Sequence, residues 1–226
     1  MTSGFPRSPR LLKGALAVYP QQTPGTQPRL VLFQYNPDQV RRTLMSRAQP
    51  PDRGNSGAAR EEVLRVQGPP VETINLTVIL NAIDQLEHPD ENRTVVEHGL
   101  QPALATLELL LYPSTDTLQQ QQQQAQQGQV QTCPGDLPLT LLVWGQNRVV
   151  PVLLTNFSVT EEAFDANLNP IQVKIELGLK VLTIMELQSP SLGYDAYLAY
   201  QRQKETLAQQ APTQGDESRV RGLLTI

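Results

Sequence analysis

The clearest signal in the chain is alternation. From Ile171 to Val181, the apolar residues Ile171, Val173, Ile175, Leu177, Leu179 and Val181 alternate with Gln172, Lys174, Glu176, Gly178 and Lys180. Period two is the mark of a strand with one buried face. At roughly 3.3 Å per residue such a strand approaches about 40 Å, long for a small domain and suited to a barrel or to a sheet shared between subunits. The same pattern recurs at 71–81, where Ile74, Leu76, Val78 and Leu80 share a face opposite Thr73, Asn75 and Thr77. Shorter apolar runs predict strands at 11–18, 29–35, 60–66, 137–145 and 148–160, with Gly145-Gln146-Asn147 as a hairpin turn between the last two. Asn36-Pro37 ends the run at 29–35, because a proline donates no backbone hydrogen bond and holds its predecessor extended.

Helical spacing is rarer. Residues 82–93 are polar and turn-rich. Thr94 and Glu97 fit a capping box that Gly99 and Pro102 interrupt, so the helix is placed from Pro102 to Leu111, with Leu104, Leu107 and Leu111 on one face. Residues 161–170 read as a polar connection around Phe164. A second helix is predicted from Leu192 to Gln210. Residues 114–136 contain a glutamine run too poor in apolar surface to order itself, read as an exposed, disordered insertion. The organisation that follows is a flexible arm at 1–10, one β domain at 11–187 and a C-terminal helical extension and tail at 188–226. The apolar end, Leu223 to Ile226, is expected to dock on the core or on a neighbour. The fold class is mainly β (α+β), an antiparallel barrel or sandwich with one flanking helix and a C-terminal helix.

Composition narrows the chemistry. The 226 residues include one cysteine, Cys133, and two histidines, His88 and His98. A disulfide framework and a cysteine-built zinc site are therefore excluded. His88 and His98, with Asp90, Glu91 and Glu97 between them, match no standard metal spacing. No nucleophile elbow, phosphate-cradling glycine loop or dinucleotide fingerprint occurs. The carboxylate pairs Asp90-Glu91 and Glu161-Glu162 are adjacent in loops and do not face each other across a cleft. No enzyme, metal or cofactor is expected. Met1 to Arg10 lacks the apolar core of a signal peptide, and the longest apolar run, Leu137 to Trp144, is too short to span a bilayer. A protein assembled in the cytoplasm, without membrane insertion, is expected.

The net charge is −4, unevenly spread. Residues 1–66 carry ten basic and four acidic residues, and the remainder eight basic and eighteen acidic. Such asymmetry fits an ordinary solvated surface, nucleic-acid contact or head-to-tail contact between copies of one protein. The arginines are not interleaved with aromatic residues, so nucleic acid is not expected as a partner.

Taken in order, certain segments point to a family. They are Phe33-Gln34-Tyr35-Asn36-Pro37, Val71 to Thr77, Glu97 to Pro102 opening a helix that ends Leu110-Leu111-Tyr112-Pro113, and a strand ending Val143-Trp144-Gly145. Phe157 to Asp165, Leu168-Asn169-Pro170 and the long alternating strand follow. This order resembles the tube-adaptor proteins in the baseplate of phage-tail-like contractile injection systems, over roughly Gly14 to Leu187. The resemblance implies a structural part of a phage-tail-like particle. It would be a ring, sixfold in such systems, that joins the spike or hub protein to the inner tube proteins and templates tube assembly among the other baseplate proteins.

The resemblance also implies inter-subunit or structural roles for Asn36, Pro37, Trp144, Gly145, Phe164, Asn169, Pro170, Ile171, Val173, Ile175 and Leu177. Within that group, Phe164 and Leu168-Asn169-Pro170 would shape an inter-ring loop and Ile171 to Val181 would pack the wall. Many relatives carry a C-terminal LysM module, whose opening turn is missing from the segment after Leu187. The alternative reading of the residues is a free-standing β-sandwich that binds carbohydrate or protein, although aromatic residues are only 5% of the chain.

Overall fold

A computed structural model of the chain describes residues 12–19, 27–47, 66–126 and 137–210. Seven strands form one antiparallel sheet: β1 (Ala15–Tyr19), β2 (Arg29–Leu32), β3 (Val40–Met45), β4 (Val71–Asn81), β5 (Leu139–Val143), β6 (Val149–Phe164) and β7 (Pro170–Val181). Their spatial order is β2-β1-β5-β6-β7-β4-β3. Three short helices, α1 (Ile83–Leu86), α2 (Arg93–His98) and α3 (Gln101–Glu108), follow β4. Helix α4 (Thr115–Gln126) precedes β5, and α5 (Leu192–Gln209) follows β7.

The mainly β class and both helices outside the sheet agree with the sequence, but the sheet is not closed into a barrel. Its edge strands, β2 and β3, do not pair with each other. They are nevertheless consecutive in the chain, joined by Phe33 to Gln39. A flat seven-stranded sheet would hold its two edges about 29 Å apart, close to the full reach of that connection. The sheet therefore curls, and a side chain spans part of the seam. The Gln34 amide donates to the Asn81 carbonyl at 2.7 Å and accepts from the Asn81 backbone N–H at 2.7 Å. It does for the end of β4 what a paired strand would do.

The curled sheet encloses the main core. Leu16, Phe33, Ile74, Val78, Leu142, Val150, Val173 and Ile175 are at most 1% exposed. Leu104, Leu107 and Leu110 reach the same cluster from α3 and the turn after it. Helix α5 packs chiefly on β6. Its Tyr197 and Tyr200 join the main core, while Ala196 meets a smaller cluster of Ala17, Leu139 and Leu141. Ser191 caps α5 by accepting the Tyr194 N–H at 3.2 Å.

Several elements differ from the sequence expectation. Strand β3 was not foreseen. Strand β6 runs to Phe164, through the first four residues of the stretch expected as a connection. The helical segment near 94–111 is two helices, α2 and α3, because Gly99 breaks it at φ +56°. A Cβ at Gly99 would lie 2.5 Å from the Pro170 carbonyl oxygen, so this glycine also permits the close approach of β7. The glutamine run is helical over Thr115–Gln126, with no buried residue, which corrects the expectation of disorder there. Residues 1–10, 60–65, Cys133 and Leu223 to Ile226 lie outside the described residues.

Candidate functional site

The most distinctive feature is the β6–β7 hairpin. Strand β5 pairs with β6 only at Val149 to Val152. Strand β7 pairs with β6 from Val152 to Phe164. Among the described residues, the other edge of β6 thus has no strand partner from 153 to 164. Thr155, Asn156, Ser158, Thr160, Glu161 and Glu162 there are exposed. Three register irregularities, at Leu154/Asn156, Glu161/Ala163 and Ala163/Phe164, bend this strand. Glu162 is tied back to β7 by accepting from Gln172 Nε2 at 2.7 Å.

The hairpin ends in a rigid turn, Asp165 to Asn169. Asp165 Oδ1 accepts the backbone N–H groups of Asn167 and Asn169, each at 2.8 Å, and Oδ2 accepts from Asn169 Nδ2 at 2.9 Å. The Asp165 carboxyl is held below its ordinary range, first by the Asn169 side chain and then by the Asn169 and Asn167 backbone amides. Asn169 Nδ2 also donates to the Glu97 carbonyl at 3.2 Å, and the Leu100 N–H donates to the Pro170 carbonyl at 2.8 Å. The turn is thereby fixed to the α2–α3 junction. At its apex Leu168 has φ +64°, the only positive φ of a non-glycine residue among those described, and is 79% exposed. Such a conformation costs a residue with a Cβ and persists only where its surroundings enforce it.

The residues singled out from the sequence fall into four places. Phe164, Asn169, Pro170 and Ile171 lie at this hairpin end. Phe164 is 47% exposed, whereas Pro170 is buried. Val173, Ile175 and Leu177 point into the core, where they hold the wall of the sheet and present nothing to a neighbour. Asn36, Trp144 and Gly145 converge at Gly14 and Leu12, around a hollow of about 190 Å³. Asn36 Oδ1 accepts the Gly14 N–H at 2.9 Å, and its Nδ2 donates to the Leu12 carbonyl at 3.0 Å. Trp144 packs on Phe33, with ring centroids 6.3 Å apart. Gly145 turns the β5–β6 hairpin at φ +73°. Pro37 lines a larger, open hollow of about 460 Å³ with Tyr35, Asp38, Thr77, Ile79 and Lys174.

Two polar clusters had no distinguishing sequence signal. Glu72 on β4 is 3% exposed. Arg42 from β3 reaches it through Nη2 at 2.6 Å and Nε at 2.8 Å. Arg42 also donates to the Tyr200 hydroxyl at 3.0 Å, and that hydroxyl lies 3.4 Å from Glu72. Burial and the Glu72 charge raise the Tyr200 pKa. Burial works against the Arg42 charge, but the bond to Glu72 prevails and its pKa is raised. This cluster ties α5 to the β3–β4 edge. In the second cluster, burial disfavours the Glu186 carboxylate. Hydrogen bonds from the Thr183 hydroxyl and amide, Arg47 and Lys180 outweigh that and bring its pKa down to about 2. Each charge in these clusters has a structural partner.

His98 lies 3.8 Å from Glu97, and both side chains are well exposed. Among the described residues no three His, Cys, Asp or Glu side chains are grouped as metal ligands. No described helix is long and apolar enough to cross a membrane. No protein-family model matches the sequence, and comparison with curated proteins yields no match.

Proposed function

We propose that this chain is a structural ring subunit of a phage-tail-like contractile injection machine, joining the central spike to the inner tube. One observation carries the reading: the β6–β7 hairpin outruns β5 and, among the described residues, leaves the edge of β6 from 153 to 164 without a strand partner. A free edge of that length invites pairing with another chain unless something blocks it. Among the described residues, the bends and the acidic pair Glu161-Glu162 moderate it. Strand pairing between copies, edge to edge around an axis, builds a closed wall from open sheets. The buried side of β7 supports that wall, and its Lys174 and Glu176 remain on the polar face.

The test is to tag the chain in its native cells, purify what it carries and image the eluate by negative stain, with mass spectrometry of the partners. Sheathed rods containing spike and tube proteins are the expected result. A lone small protein, monodisperse and without particles, would overturn the proposal and favour the binding-module reading, with the hollow at Tyr35 and Pro37 as its first candidate.

A further inference from the structure

We infer that residues Leu223 to Ile226 add to the free edge of β2 as a further strand of the sheet. This goes beyond the assembly reading and does not rest on it, because the edge of β6 stays open. The receiving edge is defined by the pairing of β2 with β1. The Phe33 N–H donates to the Gly14 carbonyl at 2.9 Å, and the register sets Val31 opposite Leu16 and Leu32 opposite Ala15. In an antiparallel ladder, residues that exchange bonds with the partner alternate with residues that face away from it. Arg29, Val31 and Phe33 therefore bond to β1. Leu30 and Leu32 turn their N–H and C=O groups outward, where no described strand meets them.

The side chains at this edge are apolar. Leu30 is 58% exposed, Leu32 59% and Leu12, just before β1, 66%. Their partners in β1, Ala17 for Leu30 and Ala15 for Leu32, lie on the same face and are at most 5% exposed. The apolar surface thus continues outward from β1 and is bare at its rim. A single exposed leucine is ordinary. Here the same two residues combine an exposed side chain with outward backbone groups, which is what an extended segment needs in order to add as a strand.

The chain supplies the occupant. Residues 211–226 lie outside the described residues. Within them, Leu223-Leu224-Thr225-Ile226 has apolar residues at three of four positions, two β-branched residues and no charge. Thirteen residues, 210–222, separate it from the end of α5. Extended, they span about 45 Å. On α5, Gln203 donates to Asn147 Oδ1 at 3.2 Å, in the turn after β5. From β5 to β2 is two strand spacings, about 10 Å, so the connection reaches with slack. Tethering at this length gives a local concentration on the order of millimolar, enough to fill a pairing too weak to hold separate chains together. The other open edges suit the segment less. Strand β3 exposes Leu44 and Met45, which as neighbours point to opposite faces, and its exposed Arg41 has the same sign as Arg219 and Arg221 just before the segment. On β6, the exposed Thr155, Asn156, Ser158, Thr160, Glu161 and Glu162 are all polar and give three aliphatic side chains nothing to cover.

The test is hydrogen–deuterium exchange on the full chain, resolved to single residues by electron-transfer fragmentation. The outward amides of Leu30 and Leu32 are the probes, and the Val31 and Phe33 amides, bonded to β1, report the fold. Leu224→Asp/Ile226→Asp should speed exchange at Leu30 and Leu32 by about fivefold or more and leave Val31 and Phe33 unchanged. Equal rates at Leu30 and Leu32 in both chains would overturn the inference. So would wild-type protection that rises from low to high micromolar concentration, which puts a second copy on the edge. A change confined to the amides of 155–162 would overturn it too, by putting the segment on β6. If Val31 also speeds up, a cross-link decides. In a Cys133→Ser background, Leu32→Cys is combined with Leu224→Cys or with Thr225→Cys. One of these pairs should close a disulfide within single chains at low micromolar concentration under mild oxidation, read by non-reducing electrophoresis and mass spectrometry. Closure no faster than with Gly215→Cys, which shares the tether but not the strand, would refute the docking.

Discussion

Removing Arg42 strands a buried carboxylate, and the consequence can be sized from the geometry. The Glu72 side chain is 4% exposed, and its Oε1 takes two contacts from Arg42, at 2.6 and 2.8 Å. Arg42→Met keeps most of the apolar stem and deletes the charge. What remains for Glu72 is the Tyr200 hydroxyl, 3.4 Å away. Breaking a fully buried pair from one side costs about 3–5 kcal/mol. Arg42 is itself 29% exposed, so water reaches part of the site. A loss of about 2–3 kcal/mol is expected. With an m-value of about 2–3 kcal/mol/M, this lowers the urea midpoint by roughly 1 M. Glu72→Gln should cost less, about 1 kcal/mol, because Arg42 can turn toward solvent. The double variant Arg42→Met/Glu72→Leu should recover much of the loss, since neither charge then remains buried. The assay is urea unfolding followed by far-UV circular dichroism at low micromolar concentration, closed as a double-mutant cycle. A cost below about 0.5 kcal/mol for Arg42→Met would class the pair with ordinary surface salt bridges and refute the latch.

Two further predictions concern stability. Gly14 has no room for a side chain: a Cβ would sit 2.5 Å from Trp144 Cζ3 and 2.9 Å from Phe33 Cδ2. Gly14→Ala should cost about 1–3 kcal/mol and change the emission of Trp144, the only tryptophan, whereas unchanged emission and midpoint would refute the close packing. Glu186 carries an acid dependence. Its pKa is lowered from 4.5 to about 2 in the folded chain. Its contribution is therefore complete above about pH 4.5 and is lost as the pH falls toward 2. After allowance for solvent screening of this partly exposed site, the wild type should lose about 1 kcal/mol more than Glu186→Gln between pH 5 and 2. Parallel pH profiles would refute it.

What the sequence made legible was the part of the fold where burial leaves a period. Strands β4 and β7 alternate because one face meets the core, and their bounds were read nearly as found. Helix α5 was read from its composition over almost its whole length. Strand β3 escaped because it is an edge strand. Arg41, Thr43, Leu44 and Met45 are exposed, so apolar and polar residues have no reason to alternate. The last four residues of β6 escaped for the same reason: Glu161-Glu162 leaves the core behind and reads as a loop. The glutamine helix was missed because its residues favour helix individually while burying nothing.

The candidate site was less legible than the fold, and for a different reason. Alternation tells which side of a strand is inside; it does not tell which edge has a neighbour. Among the described residues the edge of β6 lacks a partner because β5 has only five residues to offer a sixteen-residue strand, a mismatch visible only after pairing is known. Likewise, Gln34 closes onto Asn81 across 47 positions of sequence, and no local pattern sets a glutamine after a short apolar run apart as a seam. Glu72 shares the buried face of β4 with Ile74, Leu76 and Val78 as its polar exception, and its partners arrive from 30 and 128 positions away. The turn at Leu168 is the intermediate case. Asp165-Ala166-Asn167-Leu168-Asn169 is rich in turn formers, so the turn itself could be foreseen. Its strain could not, because the sequence places leucine where the backbone would favour glycine or asparagine. That choice works against local stability, and the conformation is held by the hydrogen bonds that converge on Asp165 from Asn167 and Asn169.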